Sequence, residues 1–148
     1  MFLSTSHNKI DKKGRVSVPR NFRTYLDLEG GSLILFKSLQ FKCIEGTTLK
    51  RISQYVEAID EIDAMSKDAS ILRMMMADSF EIKYDNEGRI NIPESLLSYA
   101  YIDDIAVFAG IGKSFTIWSD IEYEKEYKNT QKILQSSGPP KLILNKKV

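Results

Sequence analysis

The sequence predicts an α+β fold in which one β unit occurs twice. The first observation is an internal repeat, because residues 10–20, IDKKGRVSVPR, return in altered form at residues 84–94 as YDNEGRINIPE. The second is the alternation of apolar and polar residues within each copy, which is typical of a strand with one buried face. The third is a set of longer segments with apolar residues at spacings of three and four, which predicts helices outside the repeat.

The two copies are related by a constant shift of 74 positions. The residues that coincide are an aspartate, a glycine, an arginine and a proline, which superpose as Asp11 on Asp85, Gly14 on Gly88, Arg15 on Arg89 and Pro19 on Pro93. Neither copy has enough apolar residues to bury a core alone, so the repeat favours two interlocked modules over two independent domains. A chain of 148 residues has room for such a pair.

The first copy predicts the order strand, strand, short helix, strand, strand, over residues 4–10, 15–18, 21–26, 32–36 and 41–45. Residues 11–14 form the turn between the first two strands, which is expected to be a hairpin. Gly14 stands where a tight turn needs a positive φ. Pro19 ends the second strand and begins the short helix, because proline lacks a donor N–H but is tolerated at a first helical position.

Longer helices are predicted over residues 48–62, 68–77 and 121–134. The second of them carries Met74, Met75 and Met76. This methionine-rich segment is expected to lie in a packed core or a subunit contact, and an adaptable partner surface is the alternative. The second copy follows with strands over 80–84, 105–109 and 114–118 and a short helix over 95–100. We therefore divide the chain into module 1 (7–54), linking helices (55–80), module 2 (81–124) and a C-terminal helix and tail (125–148).

Charge is distributed unequally between the copies. Residues 9–23 have a local balance of +5, whereas residues 78–104 have a local balance of −5. The cations of the first segment are Lys9, Lys12, Lys13, Arg15, Arg20 and Arg23. Two copies that share a backbone arrangement but carry surface charge of opposite sign suggest that the first copy faces a polyanion. The lysines of the C-terminal tail, Lys146 and Lys147, could assist such binding, although a solvated end is the simpler interpretation.

Several classes of function lack the residues that they require. With Cys43 as the single cysteine and His7 as the single histidine, there is no intrachain disulfide, no zinc ligand set and no complete nucleophile–base pair. Asp103 and Asp104 fall at a turn, where aspartate is favoured for local reasons. We therefore expect a protein that is not an enzyme and needs no cofactor, metal or small-molecule substrate. No apolar run is long enough to span a bilayer, which predicts a cytoplasmic protein.

The doubled motif Asp-x-x-Gly-Arg-apolar-x-apolar-Pro, together with Met1-Phe2 and the segment 115–118 (FTIW), resembles the MraZ family of bacterial transcription regulators. The resemblance implies two SpoVT-AbrB-like β units interlocked into a small β-barrel, of the double-split or swapped-hairpin type, with flanking helices. It also implies a ring-shaped homo-oligomer that binds short direct repeats in double-stranded DNA at the nucleoid. Its expected role is repression of the division and cell wall gene cluster that includes its own gene.

The basic turn of the first copy is the expected DNA contact. The candidate residues are Lys9, Lys12, Lys13, Gly14, Arg15 and Arg20. Lysines at a narrow tip would neutralise phosphates, and an arginine can bind guanine O6 and N7 in the major groove. Lys13, Gly14 and Arg15 fall on the family motif, together with Asp11; the other candidates rest on charge alone.

A structural interpretation of the same motif stays open. Aspartates at these positions can cap their turns, and arginines can pair with them, so the set Asp11, Asp85, Gly88 and Arg89 is expected to be architectural. Arg15 could serve both roles. Two other functions also remain: a dimeric regulator of the AbrB or antitoxin type, which usually has one copy per chain, and a structural ring-assembly protein with no nucleic-acid role.

Overall fold

The computed structural model describes residues 1–144, and within them strands and helices follow the order that the repeat predicts. The first half contains β1 (Thr5–Lys9), β2 (Arg15–Ser17), α1 (Arg20–Leu28), β3 (Leu33–Lys37), β4 (Ile44–Thr48), α2 (Leu49–Asp60) and α3 (Lys67–Ala77). The second half contains β5 (Phe80–Ile82), β6 (Arg89–Asn91), α4 (Glu94–Tyr99), β7 (Ile105–Gly110), β8 (Ser114–Ser119) and α5 (Asp120–Ser137). The predicted α+β class is confirmed.

The strands form two antiparallel sheets whose ladders connect the two copies of the repeat. A six-stranded sheet has the order β1-β7-β8-β4-β3-β5, and a separate two-stranded ribbon joins β2 to β6. The first strand of each copy pairs with the third strand of the other, as β1 does with β7 and β5 with β3. These ladders leave the six-stranded sheet open, so they do not by themselves form the closed barrel that the family resemblance implies.

The second strand of the first copy does not pair with the strand before it, contrary to the hairpin prediction. The turn over residues 11–14 forms as expected, but β1 is hydrogen-bonded to β7, and β2 pairs with β6 of the other copy. In this ribbon Val16 lies directly opposite Ile90, its equivalent in the repeat. A local two-fold axis therefore passes between these two residues.

The main core lies under the ribbon and takes equivalent residues from both copies. Val16 and Ile90 are 1% and 2% exposed, and they pack with Val18 and Ile92, which directly follow the ends of β2 and β6. The helices that follow the prolines add Phe22 from α1 and Leu96 from α4 to the same cluster. Burial of one face of each strand explains the alternation seen in the sequence.

The loop before β4 was predicted incorrectly as part of a strand. The fourth strand begins at Ile44 and not at Phe41, because the Ser38 hydroxyl accepts hydrogen bonds from the backbone N–H groups of Gln40 and Phe41. The backbone N–H of Ser38 donates to the carbonyl of Cys43 at 3.0 Å and closes the loop. A run of apolar residues therefore becomes a compact turn, since a side chain supplies the hydrogen-bond partner that a neighbouring strand would otherwise supply.

The long helices are less buried than their apolar patterns predict. In α2 only Ile52 is buried, whereas Val56 on the predicted apolar face is 47% exposed. In α3 Met75 is buried against β3 and α2, while Met74 remains 55% exposed. The last helix, α5, begins at Asp120 after the capping residue Ser119 and contains no buried residue along its 18 positions. Within residues 1–144, no helix has the length and apolar character needed to cross a membrane.

Replacement of Ile90 by alanine should lower the free energy of unfolding by about 2–5 kcal/mol, because it leaves a cavity under the ribbon. The matched control is Ile111→Ala, which removes the same atoms from a side chain that is 58% exposed. Urea unfolding of both variants at one fixed protein concentration measures the difference. Equal losses for Ile90→Ala and Ile111→Ala would contradict the placement of the ribbon over the core.

Candidate nucleic-acid interface

The turns that precede β2 and β6 have the same backbone geometry. We call residues 11–14 the first tip and residues 85–88 the second tip. In the first tip, Gly14 N–H donates to the Asp11 carbonyl at 3.0 Å, and Gly88 N–H donates to the Asp85 carbonyl at the same distance in the second. The glycines have φ values of 79° and 77°. Other residues rarely adopt this left-handed conformation, which explains why glycine occupies both positions.

Each tip is closed by its aspartate. In the first tip, Asp11 Oδ1 accepts from the backbone N–H groups of Lys13 and Arg15, and Oδ2 accepts from Arg15 Nε at 2.8 Å. Hydrogen bonds from the backbone N–H of Arg15, and then from its side chain, lower the pKa of Asp11. These contacts make Asp11 and Arg15 part of the frame of the turn.

The second tip repeats this arrangement with different neighbours. Asp85 accepts from the backbone N–H groups of Glu87 and Arg89 and from Arg89 Nε at 3.1 Å. The backbone hydrogen bond from Arg89 is the main cause that lowers the pKa of Asp85. The same frame therefore forms whether a lysine or a glutamate stands before the glycine.

The two motif arginines differ in their remaining partners. Arg89 Nη2 forms a second ion pair with Glu87 at 3.2 Å. The repeat places Lys13 at the position of Glu87, so the first tip has no such carboxylate. Among residues 1–144, Arg15 pairs only with Asp11, through Nε, and its Nη1 and Nη2 atoms make no hydrogen bond. The first tip therefore keeps a guanidinium edge free for a ligand.

The outer face of the ribbon brings four polar residues together. Arg15 lies opposite Asn91, and Ser17 lies opposite Arg89. Residues paired directly across antiparallel strands have side chains on the same face, and Val16 and Ile90 occupy the buried one. Ser17 and Asn91 could not be identified from the sequence, because only the pairing of strands distant in the chain places them on the same face as Arg15.

Asn91 connects the second copy to the first tip. When its amide nitrogen is directed at the tip, it donates to the carbonyl oxygens of Lys13 and Gly14 at 3.3 and 3.2 Å. The carbonyls of the basic turn are thus held by a side chain 77 positions after Gly14 in the chain. This contact ties the orientation of Lys13 to the position of β6.

The other basic residues of the first copy are divided between the first tip and its neighbouring elements. Lys12 and Lys13 are exposed on the first tip. Lys9 is exposed at the end of β1, and Arg20 is exposed at the start of α1. Arg23 is half-buried, and its Nε donates to the Val18 carbonyl at 3.1 Å. Its guanidinium covers Gly88, where an added Cβ would lie 2.5 Å from Arg23 Cζ. Arg23 therefore contacts the second tip, although its charge alone grouped it with the first.

The residues typical of catalytic and metal sites are dispersed. Within the described part of the chain, no three His, Cys, Asp or Glu side chains are close enough together to hold a metal ion. Burial raises the pKa of the Cys43 thiol to about 12, so it is protonated at neutral pH. His7 is exposed on β1 and contacts the edge of the Tyr123 ring, with 6.5 Å between ring centroids.

Comparisons with known proteins cover nearly the whole chain. The family model described as "MraZ protein, putative antitoxin-like" matches residues 1–73 and again residues 75–143, and each range contains one copy of the repeat. The chain is 37% identical over 134 residues to the transcriptional regulator MraZ of Pelagibacter ubique (strain HTCC1062), covering 89% of this chain and 86% of the relative. It is 35% identical over 135 residues to the transcriptional regulator MraZ of Rickettsia akari (strain Hartford), covering 90% and 91%.

Removal of the two turn carboxylates should change the pH dependence of stability. A carboxyl group whose pKa is lowered by folding stabilises the protein above its ordinary pKa of 3.8, and this stabilisation is lost as pH falls through the lower folded value. The double variant Asp11→Asn, Asp85→Asn should therefore be less stable than the parent at about pH 6. The difference in the free energy of unfolding between the two proteins should become smaller towards about pH 3. Denaturant unfolding followed by circular dichroism measures this, with Asp103→Asn as the control. A gap that does not depend on pH would contradict the prediction.

Proposed function

The chain belongs to the MraZ family, and on that premise we propose that it is a transcription regulator that binds specific DNA sequences through its first tip. The observation that carries the proposal is the contrast between two turns of the same geometry. Lys12 and Lys13 stand on the first tip where Asn86 and Glu87 stand on the second. The frame forms equally well in both, so the lysines are not needed to build it and are available to a partner.

The first tip suits the major groove of DNA. The groove is about 12 Å wide, so a narrow turn that carries two lysines can enter it. Lys12 and Lys13 would neutralise phosphates on either side, and the free Nη atoms of Arg15 would donate to O6 and N7 of a guanine. Asn91 would hold the backbone of the tip in place for these contacts. Lys9 and Arg20, which lie outside the tip, would contribute long-range attraction to phosphates.

A single tip would bind DNA weakly. A few phosphate contacts give non-specific affinity that salt reduces strongly. We propose that the chain assembles into a ring, in which adjacent subunits present identical tips to successive direct repeats and so raise the effective concentration of each binding event. Module 1 (7–54) would contact DNA, and module 2 (81–124), joined to it by residues 55–80, would complete the fold.

One feature of the surface supports an assembly. The apolar side chains exposed along α5 are Ile121, Tyr127, Ile133 and Leu134. A helix of 18 residues that buries none of them gains little stability from its own chain, so a neighbouring subunit is the natural partner.

The regulated genes follow from the family resemblance. We propose that the protein acts in the cytoplasm at the nucleoid, where it represses the division and cell wall gene cluster that contains its own gene. A gel shift with DNA from directly upstream of that gene tests this role. The internal repeat argues against a dimeric single-module regulator. Retention on heparin that falls with salt separates DNA binding from a purely structural ring.

The double variant Lys13→Ala, Arg15→Ala should abolish binding to the upstream DNA and leave the size of the assembly unchanged, because Lys13 is exposed, Arg15 pairs with Asp11 beside the tip, and neither side chain belongs to the core. Fluorescence anisotropy measures binding, and a sizing column measures assembly. Lys13→Ala alone should reduce the magnitude of the slope of log affinity against log salt concentration by about one, which corresponds to the loss of one phosphate contact. Normal binding by the double variant would contradict the proposal that the first tip binds DNA. Dissociation of the assembly would show that Arg15 lies in a subunit contact.

Charge reversal at the second tip provides the matched comparison, since Glu87 is the equivalent of Lys13. Glu87→Lys should change DNA affinity much less than Lys13→Ala, because the second tip is not placed against DNA in this proposal. The same anisotropy assay measures both variants at one salt concentration. Equal effects would show that the second copy also contacts DNA.

A further inference from the structure

An aromatic cavity lies on the outer face of the six-stranded sheet, and it shares no residue with either tip. Its volume is about 250 Å³. It opens between the loop before β4, strand β8 and the start of α5. Its aromatic lining residues are Phe41, Trp118 and Tyr123, and Glu45 also lines it. A space of this size admits one side chain or one small molecule.

The three rings are held in position by one another and by hydrogen bonds. The centroid of Trp118 lies 5.6 Å from that of Phe41 and 6.0 Å from that of Tyr123. Trp118 Nε1 donates to Thr116 Oγ1 at 2.8 Å, which fixes the indole. The Tyr123 hydroxyl lies 3.4 Å from Thr5 Oγ1 on β1. Phe41 is 40% exposed and lies at the mouth. The walls of the cavity are therefore formed before any ligand arrives.

Glu45 gives the cavity its charge. It lies on β4, directly opposite Thr116 of β8, so its side chain shares the outer face of the sheet with the aromatic rings. Glu45 is half-buried. Burial raises the pKa of its carboxyl group, and a hydrogen bond with the Ser38 side chain acts in the opposite direction. Among residues 1–144, no lysine, arginine or histidine lies within ion-pair distance of it. A partly desolvated carboxylate without a cation is unfavourable, and a cationic ligand would relieve that cost.

We propose that this cavity is a binding site for an organic cation, a guanidinium or alkylammonium group. The ring faces of Trp118, Phe41 and Tyr123 would attract the cation through their negative potential, and Glu45 would accept its hydrogen bonds. A neutral or anionic ligand would cover the carboxylate without compensating its charge. The cation can be the side chain of an arginine or lysine from a second copy, or a free small molecule, and both sources offer the same group.

The chain has a single tryptophan, Trp118, so its intrinsic fluorescence reports on this cavity directly. The experiment titrates the full chain with n-butylguanidinium and, separately, with its neutral counterpart n-butylurea at matched ionic strength. The cation should give a saturable change in Trp118 emission that the urea does not. Glu45→Gln should weaken this binding about tenfold or more, since it removes the charge and keeps the shape. Equal responses to the two probes, or equal binding by the parent and Glu45→Gln, would overturn the proposal.

A second variant keeps the proposal testable if Glu45→Gln does not fold. Phe41→Ala removes an exposed ring at the mouth and leaves the core intact, and it should also weaken binding of the guanidinium probe. Circular dichroism checks that both variants fold. Unchanged affinity in a folded Phe41→Ala variant would contradict a site enclosed by the three rings.

The mass of the assembly distinguishes the two possible sources of the cation. If a side chain of a second copy fills the cavity, Glu45→Gln should lower the mass of the assembly in sedimentation, and the guanidinium probe should compete with assembly in the parent. If a free cation fills it, the mass should stay constant while the probe binds saturably. Both results support the site. The proposal does not rest on DNA binding, so an inactive first tip would leave it intact.

Discussion

The antiparallel pairing of β2 with β6 sets the arrangement of both copies of the repeat. It places Val16 directly against Ile90, two equivalent residues of the repeat, and buries both. Because side chains alternate along a strand, burial of this pair sends Arg15, Ser17, Arg89 and Asn91 to the outer face. A shift of the register by one residue would expose the apolar pair and bury the arginines, which makes the register strongly specified. The packing of the core thus fixes the surface that we propose for DNA binding.

The repeat separates the frame of each tip from its function. Aspartate, glycine and arginine form the same hydrogen bonds in both tips, at nearly equal distances. The two positions between aspartate and glycine do not contribute side chains to this frame, and they are free to differ. In the first copy they are lysines, and in the second they are asparagine and glutamate. The pairing of Arg89 with Glu87 further reduces the positive charge of the second tip, whereas the outer nitrogens of Arg15 have no partner among residues 1–144.

The two sides of the molecule offer different chemistry. The outer face of the ribbon is polar and cationic, which suits a polyanion. The outer face of the six-stranded sheet carries an aromatic cavity lined by Glu45, whose carboxylate forms no ion pair with residues 1–144, and such a cavity suits a cation. Helix α5 begins beside this cavity, and Tyr123 from its first turns forms one of the cavity walls. A ligand that changes the position of α5 would act on the same helix that we propose for subunit contacts, so the cavity and the assembly are physically connected.

The α+β class, the repeated order of elements and the two turns could be predicted from the sequence, because they depend on local signals: alternation of apolar residues, glycine in a tight turn and proline after a strand. Charge predicted a cationic cluster in the first copy, and its assignment to DNA stays a prediction. The folded structure was needed to show that β2 pairs with β6, that Asn91 holds the first tip, that Arg23 covers Gly88, and that Trp118 joins the loop before β4 in one cavity. Each of these contacts joins residues far apart in the chain. Local propensity carries no information about such partners, since they are selected by the burial of both copies in one shared core.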